Sequence, residues 1–503
     1  VTKFPLRVFA LELLASLSIG GFALRGMAQD HPAAGPAWQT FDLTLQPGKR
    51  TEIAGPFYYH QHSDAESTRA WPPFYSRYQN SVGSREDDFL YPLLTYEAQG
   101  EEFRWQLFEL FSFAGGANPD GGSTKRTTIY PLYFEQRSAD SNENYTAFVP
   151  FYGHIKHRLL LNDVFFVMFP LYTETRNHGY VTKNYLYPFF HLRHGDHLEG
   201  WQFWPVMGEE HKDITTATNG FGDVSVVPGH DKFFALWPIF YNNTTGLGTD
   251  NPDHSLAVLP FYAKTRSPLR NSTSVIWPFF TWIDDRERRY HEWQGPWPLV
   301  IFTRGEGKHT DRVWPLFSQS RITKPAGDSG FSLDFGGAVP TNSPEPATAE
   351  SDSYLWPLYQ YRGFHSPPLD EKRQRVLFFV YENTVEKNTD TGKEKQRVDV
   401  WPFFTWHRDA AGSQRLQIFA PVEPVVPDNA GIERNWSPLW SLWRAEDNAT
   451  NGHKSRSLLW NLYREETTPD HQNSSLLFGL FRYKQEGEFK QLRCFYGLTF
   501  RWH

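Results

Sequence analysis

Apolar positions in this chain come in short aromatic bursts separated by polar stretches, not in helical stripes. One phrase dominates: an aromatic residue, then Pro, an apolar residue and usually a second aromatic. It reads Trp71-Pro72-Pro73-Phe74, Tyr91-Pro92-Leu93, Tyr130-Pro131-Leu132-Tyr133, Phe169-Pro170-Leu171-Tyr172 and Tyr187-Pro188-Phe189-Phe190. It continues as Trp204-Pro205, Trp237-Pro238-Ile239-Phe240, Trp277-Pro278-Phe279-Phe280, Trp297-Pro298, Trp314-Pro315-Leu316-Phe317, Trp356-Pro357-Leu358-Tyr359 and Trp401-Pro402-Phe403-Phe404. Val149-Pro150-Phe151-Tyr152 and Leu259-Pro260-Phe261-Tyr262 have an aliphatic lead. Late copies keep the slot but change its residue: Trp460-Asn461-Leu462-Tyr463, Phe478-Gly479-Leu480-Phe481 and Tyr496-Gly497-Leu498. Phe108-Glu109-Leu110-Phe111 and Leu377-Phe378-Phe379-Val380 are degenerate copies.

Such self-similarity at a fixed period marks a repeat architecture. Pro would break a helix, and aromatic enrichment favours strand. Polar turn material follows most copies, as in Arg193-His194-Gly195-Asp196, Arg408-Asp409-Ala410-Ala411-Gly412 and Lys484-Gln485-Glu486-Gly487. Each unit therefore reads as one strand of ~8–11 residues plus a connection. About two dozen units of ~19 residues run from near Pro56 to the C-terminus. The connections at 195–199 and 485–488 read as tight, and 214–232 and 318–353 as long. The expectation is an all-β chain with very little helix: a leader over 1–28, an N-terminal segment over 29–50, and one β-repeat domain over 51–503.

Alternation is clearest at the C-terminus. From Arg493 to His503, Cys494, Tyr496, Leu498, Phe500 and Trp502 fall on one face and Arg493, Phe495, Gly497, Thr499, Arg501 and His503 on the other. A lipid-facing strand of a membrane barrel has this pattern. Gly497, Phe500 and Trp502 fit a Gly-x-x-apolar-x-aromatic motif that resembles the C-terminal assembly signal of bacterial outer-membrane β-barrel proteins. The resemblance covers the last strand only. It implies a large antiparallel barrel in the outer membrane, with lipid and the barrel-assembly machinery as partners, and a pore, receptor, enzyme or adhesion role.

Two features pull the other way. Pro inside a strand removes a ladder hydrogen bond, and a closed barrel has no free edge to hide the loss. The damage shrinks if Pro starts each strand or sits at a rim, and the Pro/Asn/Gly exchange fits a shared bend. Around the phrase both faces look apolar, as from Phe166 to Tyr172, where a wide aqueous lumen needs a polar inner face. A soluble exported β-propeller or β-solenoid that binds polysaccharide or protein is the alternative.

Composition narrows the functions. Aromatics make up 17% of the 503 residues while all apolar types reach only 39%, so aromatics carry the apolar load. A mean hydropathy of -0.57 argues against a multi-span helical membrane protein. The net charge of -7 offers no global basic field, so nucleic acid is not an expected partner. The single cysteine, Cys494, excludes a disulfide framework and cysteine-ligated metal sites within one chain. Lys3 and Arg7, the apolar stretch Val8 to Leu24 and Gly26-Met27-Ala28 before Gln29 read as a secretory leader, which favours an outer-membrane, periplasmic or secreted location.

Candidate chemistry is sparse. His191, His194 and His197 with Asp196, and the pair His60 and His62, have metal-binding residue types, but each also reads as a polar hairpin. Gly115-Gly116 and Asp120-Gly121-Gly122 read as a glycine-rich loop lacking the helix and Gly-Lys-Ser/Thr of a phosphate site. Asp284-Asp285-Arg286-Glu287-Arg288-Arg289 reads as a solvated hairpin crown. Neither Gly-x-Ser-x-Gly nor His-Glu-x-x-His occurs. No catalytic, cofactor or metal residue is assigned, and the expected role is a non-enzymatic pore or structural surface protein.

Overall fold

The computed structural model describes residues 37–108, 110–117, 122–158, 161–177, 179–218, 224–324 and 347–502. The leader, Asp120 and Gly121 lie outside these. Among the described residues, 43 strands join one antiparallel sheet, and Thr215–Thr218 with Val224–Val227 form a separate hairpin inside one of the long connections. Strand order follows chain order throughout, so the sheet is a meander. It already includes Gln39–Asp42 and Gly48–Ile53, in and across the edge of the expected N-terminal segment.

The repeat holds, but its unit is a hairpin. Strands are 4–8 residues long, and two of them fit in each unit. Tyr172–Asn177 turns at Gly179 into Tyr180–Tyr185, and the next unit begins at Phe190. The strand count is thus nearly twice the expected two dozen. The reason is local. The aromatic–Pro phrase is the connection, not the strand, because Pro has no N–H to give a ladder.

Four residues make the connection, closed by a backbone hydrogen bond from the fourth to the first. Phe189 N donates to Leu186 O at 2.9 Å, Ile239 N to Leu236 O at 2.7 Å and Leu358 N to Leu355 O at 2.8 Å. In some turns the first residue is left-handed although it carries a side chain, as at Leu186, Leu236, Ile276 and Leu355 with φ of 50°, 51°, 49° and 47°, and in others, such as those begun by Phe203 and Val313, it is not. The late copies with Asn or Gly close with the same bond, Leu462 N on Leu459 O at 2.9 Å and Leu480 N on Leu477 O at 3.2 Å, but with φ of 63° at Asn461 and 86° at Gly479, a conformation Pro cannot adopt.

This placement also revises the C-terminus. The expected single strand is two, Phe489–Cys494 and Leu498–Trp502, split by a turn through Tyr496. Leu498, Phe500 and Trp502 still share one face.

The sheet is not closed by a ladder among the described residues. Gln39–Asp42 pairs only with Gly48–Ile53, and Leu498–Trp502 only with Phe489–Cys494. The ends meet through side chains instead. Asn461 Nδ2 reaches Glu52 at 2.5 Å, Thr44 Oγ1 reaches Ser455 at 2.5 Å, and the Arg464 guanidinium lies 3.6 Å over the Phe41 ring. Glu52, Phe41, Ser455 and Arg464 all belong to the same sheet face. A continuous sheet can bring one face into contact with itself only by bending back with that face inside.

Candidate functional site

Strand register sorts the side chains into an inner and an outer face with different chemistry. Inner residues beside the turns are Thr173, Asn184, His191, Gln202 and Gly208 on consecutive strands. Ala257, Ala263, Ser274 and Thr281 continue the row farther on. These are small or polar, as a concave surface with limited room requires. Apolar side chains interrupt the inner face, as at the cluster Phe134, Tyr145, Ala147, Ile155, Val164 and Phe166, and at Phe234 with Tyr241, the latter packed against Ala257, Leu259 and Ala263. Phe166 thus points inward and Phe169-Pro170-Leu171 is a turn, which resolves the two-sided apolar character of that stretch.

On the outer face, apolar side chains concentrate towards the turns. The row beside them holds Tyr172, Tyr185, Phe190, Phe203 and Met207. Two residues along, Leu192, Trp201, Phe233, Leu256, Trp282, Trp293 and Phe302 form a second apolar row over part of the sheet. Two residues farther, the outer face becomes charged: His194, Glu199, His211, Asp231, His254, Asp284, His291 and Arg304.

The turns themselves are the most exposed apolar part. Phe261, Phe403 and Phe74 are 70%, 66% and 65% exposed. Rings touch from turn to turn: Phe169 to Tyr187 at 5.9 Å, Trp204 to Trp237 at 5.9 Å, Trp314 to Trp356 at 5.6 Å and Phe379 to Trp401 at 5.5 Å between centroids.

Backbone groups connect the turns as well. Leu186 N donates to Leu171 O and Tyr187 N to Pro170 O, both at 2.7 Å. Leu236 and Trp237 bind Val206 O and Pro205 O in the same way, and Leu355 and Trp356 bind Leu316 O and Pro315 O. In each of these turns every N–H is used. The first two reach the preceding turn, the third residue is Pro and has none, and the fourth closes its own turn. The edge is therefore a hydrogen-bonded rim with an apolar coat.

The two ends of the sheet are clasped by residues 420–442, which carry the short helices Ala430–Asn435 (α1) and Ser437–Trp440 (α2). Arg434 on α1 bonds Glu86 and, at 3.0 Å, the fully buried Asp88 on the inner face near the N-terminus. Asn435 and Ser76 donate to the same Asp88 oxygen at 2.9 Å. Trp436 Nε1 holds Tyr91 O at 2.9 Å. Gly431 is required there, because a Cβ would lie 2.4 Å from the Tyr91 ring. On the opposite wall, Glu433 pairs with Arg415, and Glu423 accepts from Gln417 at 2.7 Å, Ser437 at 2.5 Å and Trp440 at 2.9 Å. Burial pushes the Glu433 carboxyl up, but the hydrogen-bonded Arg415 guanidinium outweighs it and holds the group below the usual carboxylate range. Glu86 is held above that range, mainly by burial.

Sequence reasoning missed this clasp. Its signal is an interruption: between Pro402 and Trp460 the phrase is lost, and Pro421, Pro424, Pro427 and Pro438 break the strand pattern.

The sequence-derived metal candidates do not assemble. His191 is on the inner face, His194 on the outer, and His197 in the turn between strands. His60 and His62 share a face with rings 6.5 Å apart, without a third ligand type beside them. Among the described residues no group of three or more His, Cys, Asp or Glu is placed to hold a metal ion. Gly115 and Gly116 lie in the strand Phe111–Ala117 and not in a loop; a Cβ on Gly116 would come within 2.7 Å of Glu102. Arg286 to Arg289 form the hairpin tip expected of them. Comparison with protein-family models finds no match, and comparison with curated proteins finds none either.

Proposed function

We propose that this chain is a membrane-embedded structural protein of the bacterial cell surface, held in lipid by its aromatic–proline edge, with its polar face enclosing an aqueous interior. The observation that carries this reading is the segregation of exposed apolar side chains. They collect on the turn edge and the outer row beside it, with a second outer row over part of the ribbon, while the inner face is mostly polar. Soluble monomers rarely expose apolar patches beyond a few hundred Å². An edge shared by some twenty hairpins far exceeds that, and its Trp and Tyr suit a membrane boundary.

The structural role is favoured over the pore role by strand length. Spanning strands need ~9–11 residues. Those of this sheet have 4–8, and the outer face turns charged within them. Location in the outer membrane rests on the leader and the Leu498–Trp502 face.

The test is expression of the full chain in a Gram-negative host, followed by fractionation and flotation with outer-membrane vesicles. Flotation that resists carbonate and high salt supports the reading. Recovery in the soluble periplasm or medium overturns it and favours the soluble β-repeat protein.

A further inference from the structure

We infer that the turn edge enters one leaflet of the bilayer only, turns first, with the hairpin tips left in water on the side of entry. The inference rests on the membrane reading above and adds depth and orientation to it. Three observations carry it.

The first is backbone satisfaction. In hydrocarbon every unpaired N–H or C=O costs several kcal/mol, so bare turns are excluded from it. The rim meets this demand. Leu186, Tyr187 and Phe189 spend their N–H groups on Leu171, Pro170 and Leu186, and Pro188 has none to spend. Among the carbonyls, Met168, Pro170 and Leu171 each accept one of these bonds or its equivalent in the preceding turn, and other turns are joined by a single bond, such as Trp204 N on Phe189 O and Ile276 N on Phe261 O. Where the slot holds Pro, the residue that is costly within a strand adds no further donor to this lattice.

The second is height. Where it is tallest, around Leu192–Trp201 and Trp282–Phe302, the apolar outer surface comprises the turn and the next two outward rows, which is about 13 Å of strand rise. At Glu174, Lys183, Glu209 and Lys264 charge begins one row nearer the turns. That matches roughly half of a ~30 Å hydrocarbon core. The row beyond carries Glu199, Asp231, Asp284 and Arg304, where a spanning wall would need further apolar residues.

The third is asymmetry. The opposite ends of the same strands are the polar tips, such as Asp196-His197, Arg286-Glu287-Arg288-Arg289 and Asp390-Thr391-Gly392. Carrying such tips through a bilayer is opposed by their charge.

The test uses the full chain in vesicles of phosphatidylcholine and phosphatidylglycerol. Single cysteines are placed on a Cys494→Ser background, one at the edge (Phe261→Cys) and one at a tip (Asp390→Cys). Vesicle flotation is scored for both. Reactivity towards a membrane-impermeant maleimide is read with the reagent added outside or trapped inside. An environment-sensitive label at position 261 is quenched by lipids carrying the quencher near the headgroup or near the chain end. The expected result is an edge site unreactive from both sides and quenched from within the bilayer, with a tip site at least tenfold more reactive from outside. Reaction of the edge site with trapped maleimide would show a spanning wall and overturn the one-leaflet depth while leaving the membrane reading intact. Failure to float, with the edge site reactive in water, removes both. Failure to float with an edge label shielded and a doubled mass in solution also removes both and assigns the edge to a second copy.

Discussion

The two ends of every hairpin obey opposite rules. At the turn edge most connections are four residues long, apolar and bonded to the turn before, the clasp between Ile418 and Trp443 being the long exception. At the tip edge length varies from the two residues Asp196-His197 to the stretch that parts Lys324 from Ala347, and most of the described tip residues are polar. Same strands, same register, same distance from the inner face: only the surroundings of each end can account for the difference. Gly83, Gly100, Gly392 and Gly487 sit at tips where a Cβ would meet nothing within 4 Å, whereas one on Gly305 or Gly307 would come within 2.1 Å of the Arg289 carbonyl or 2.0 Å of the Arg288 carbonyl, so steric demand varies from tip to tip. The third position of the turn holds Pro in most copies, with Asn461, Gly479 and Phe379 in its place elsewhere.

The largest expected effect comes from charging the edge. Phe74, Phe261 and Phe403 changed together to Asp should lower vesicle partitioning by more than about 100-fold, since burying one Phe is worth about 1.5–3 kcal/mol. Val82, a 78% exposed apolar residue at a tip, is the matched control. Val82→Asp should leave partitioning unchanged within about twofold, as for surface substitutions generally. An equal loss would erase the distinction between the ends.

Next in size is the clasp that keeps the inner face inside. Arg434→Met leaves Asp88 and Glu86 buried without their cation, which typically costs about 3–5 kcal/mol. Hydrogen exchange should rise across Tyr58–Ser63 and Ser84–Phe89, where Arg434 and its helix make contact. The aromatic edge should keep its protection, because its bonds run from turn to turn and not through α1. Joint loss of protection in both regions would mean that the edge depends on closure.

Smaller still is the contrast between two prolines. Pro188→Ala gives the edge an N–H without a partner, a loss of about 1–3 kcal/mol when buried. Pro469→Ala, at a tip, adds a donor that water satisfies and should stay within about 0.5 kcal/mol. Thermal unfolding in vesicles reads both.

The smallest effect is that of acid on the clasp. Glu433 has a depressed pKa in the fold, so its contribution is complete above the unfolded value and is lost as pH falls through the folded one. Glu86, raised by burial, has the opposite sign: its ionised form weakens the fold as pH rises through its raised value. Emission from Trp436 and Trp440 should therefore report loosening below the usual carboxylate range, and Glu433→Gln should abolish that acid-sensitive step. An unchanged profile in that variant would place acid loosening elsewhere.

Much of the fold is legible in the sequence. The recurrent phrase gives an all-β repeat and its period, and the polar runs at 195–199 and 485–488 are the tight tips they promise to be. Misplacing the phrase in a strand halves the strand count, because aromatic enrichment and exposed edges look alike to a pattern of residue types. The observation that Pro, Asn and Gly trade places was the available clue to a turn. The clasp was not legible: Arg434 and Asp88 are 346 positions apart, and nothing local marks either as a partner.

The chain by itself thus determines its local units. Strand propensity, proline's missing donor and polar tip residues act over a few neighbours, and their answer is the same in any context. Which face becomes the inside, where the two ends meet, and that the apolar turns line up into one bonded rim are decided only by the tertiary structure. Those outcomes depend on register summed over 43 strands and on charges brought together from opposite ends of the chain. Short-range physics sets neither.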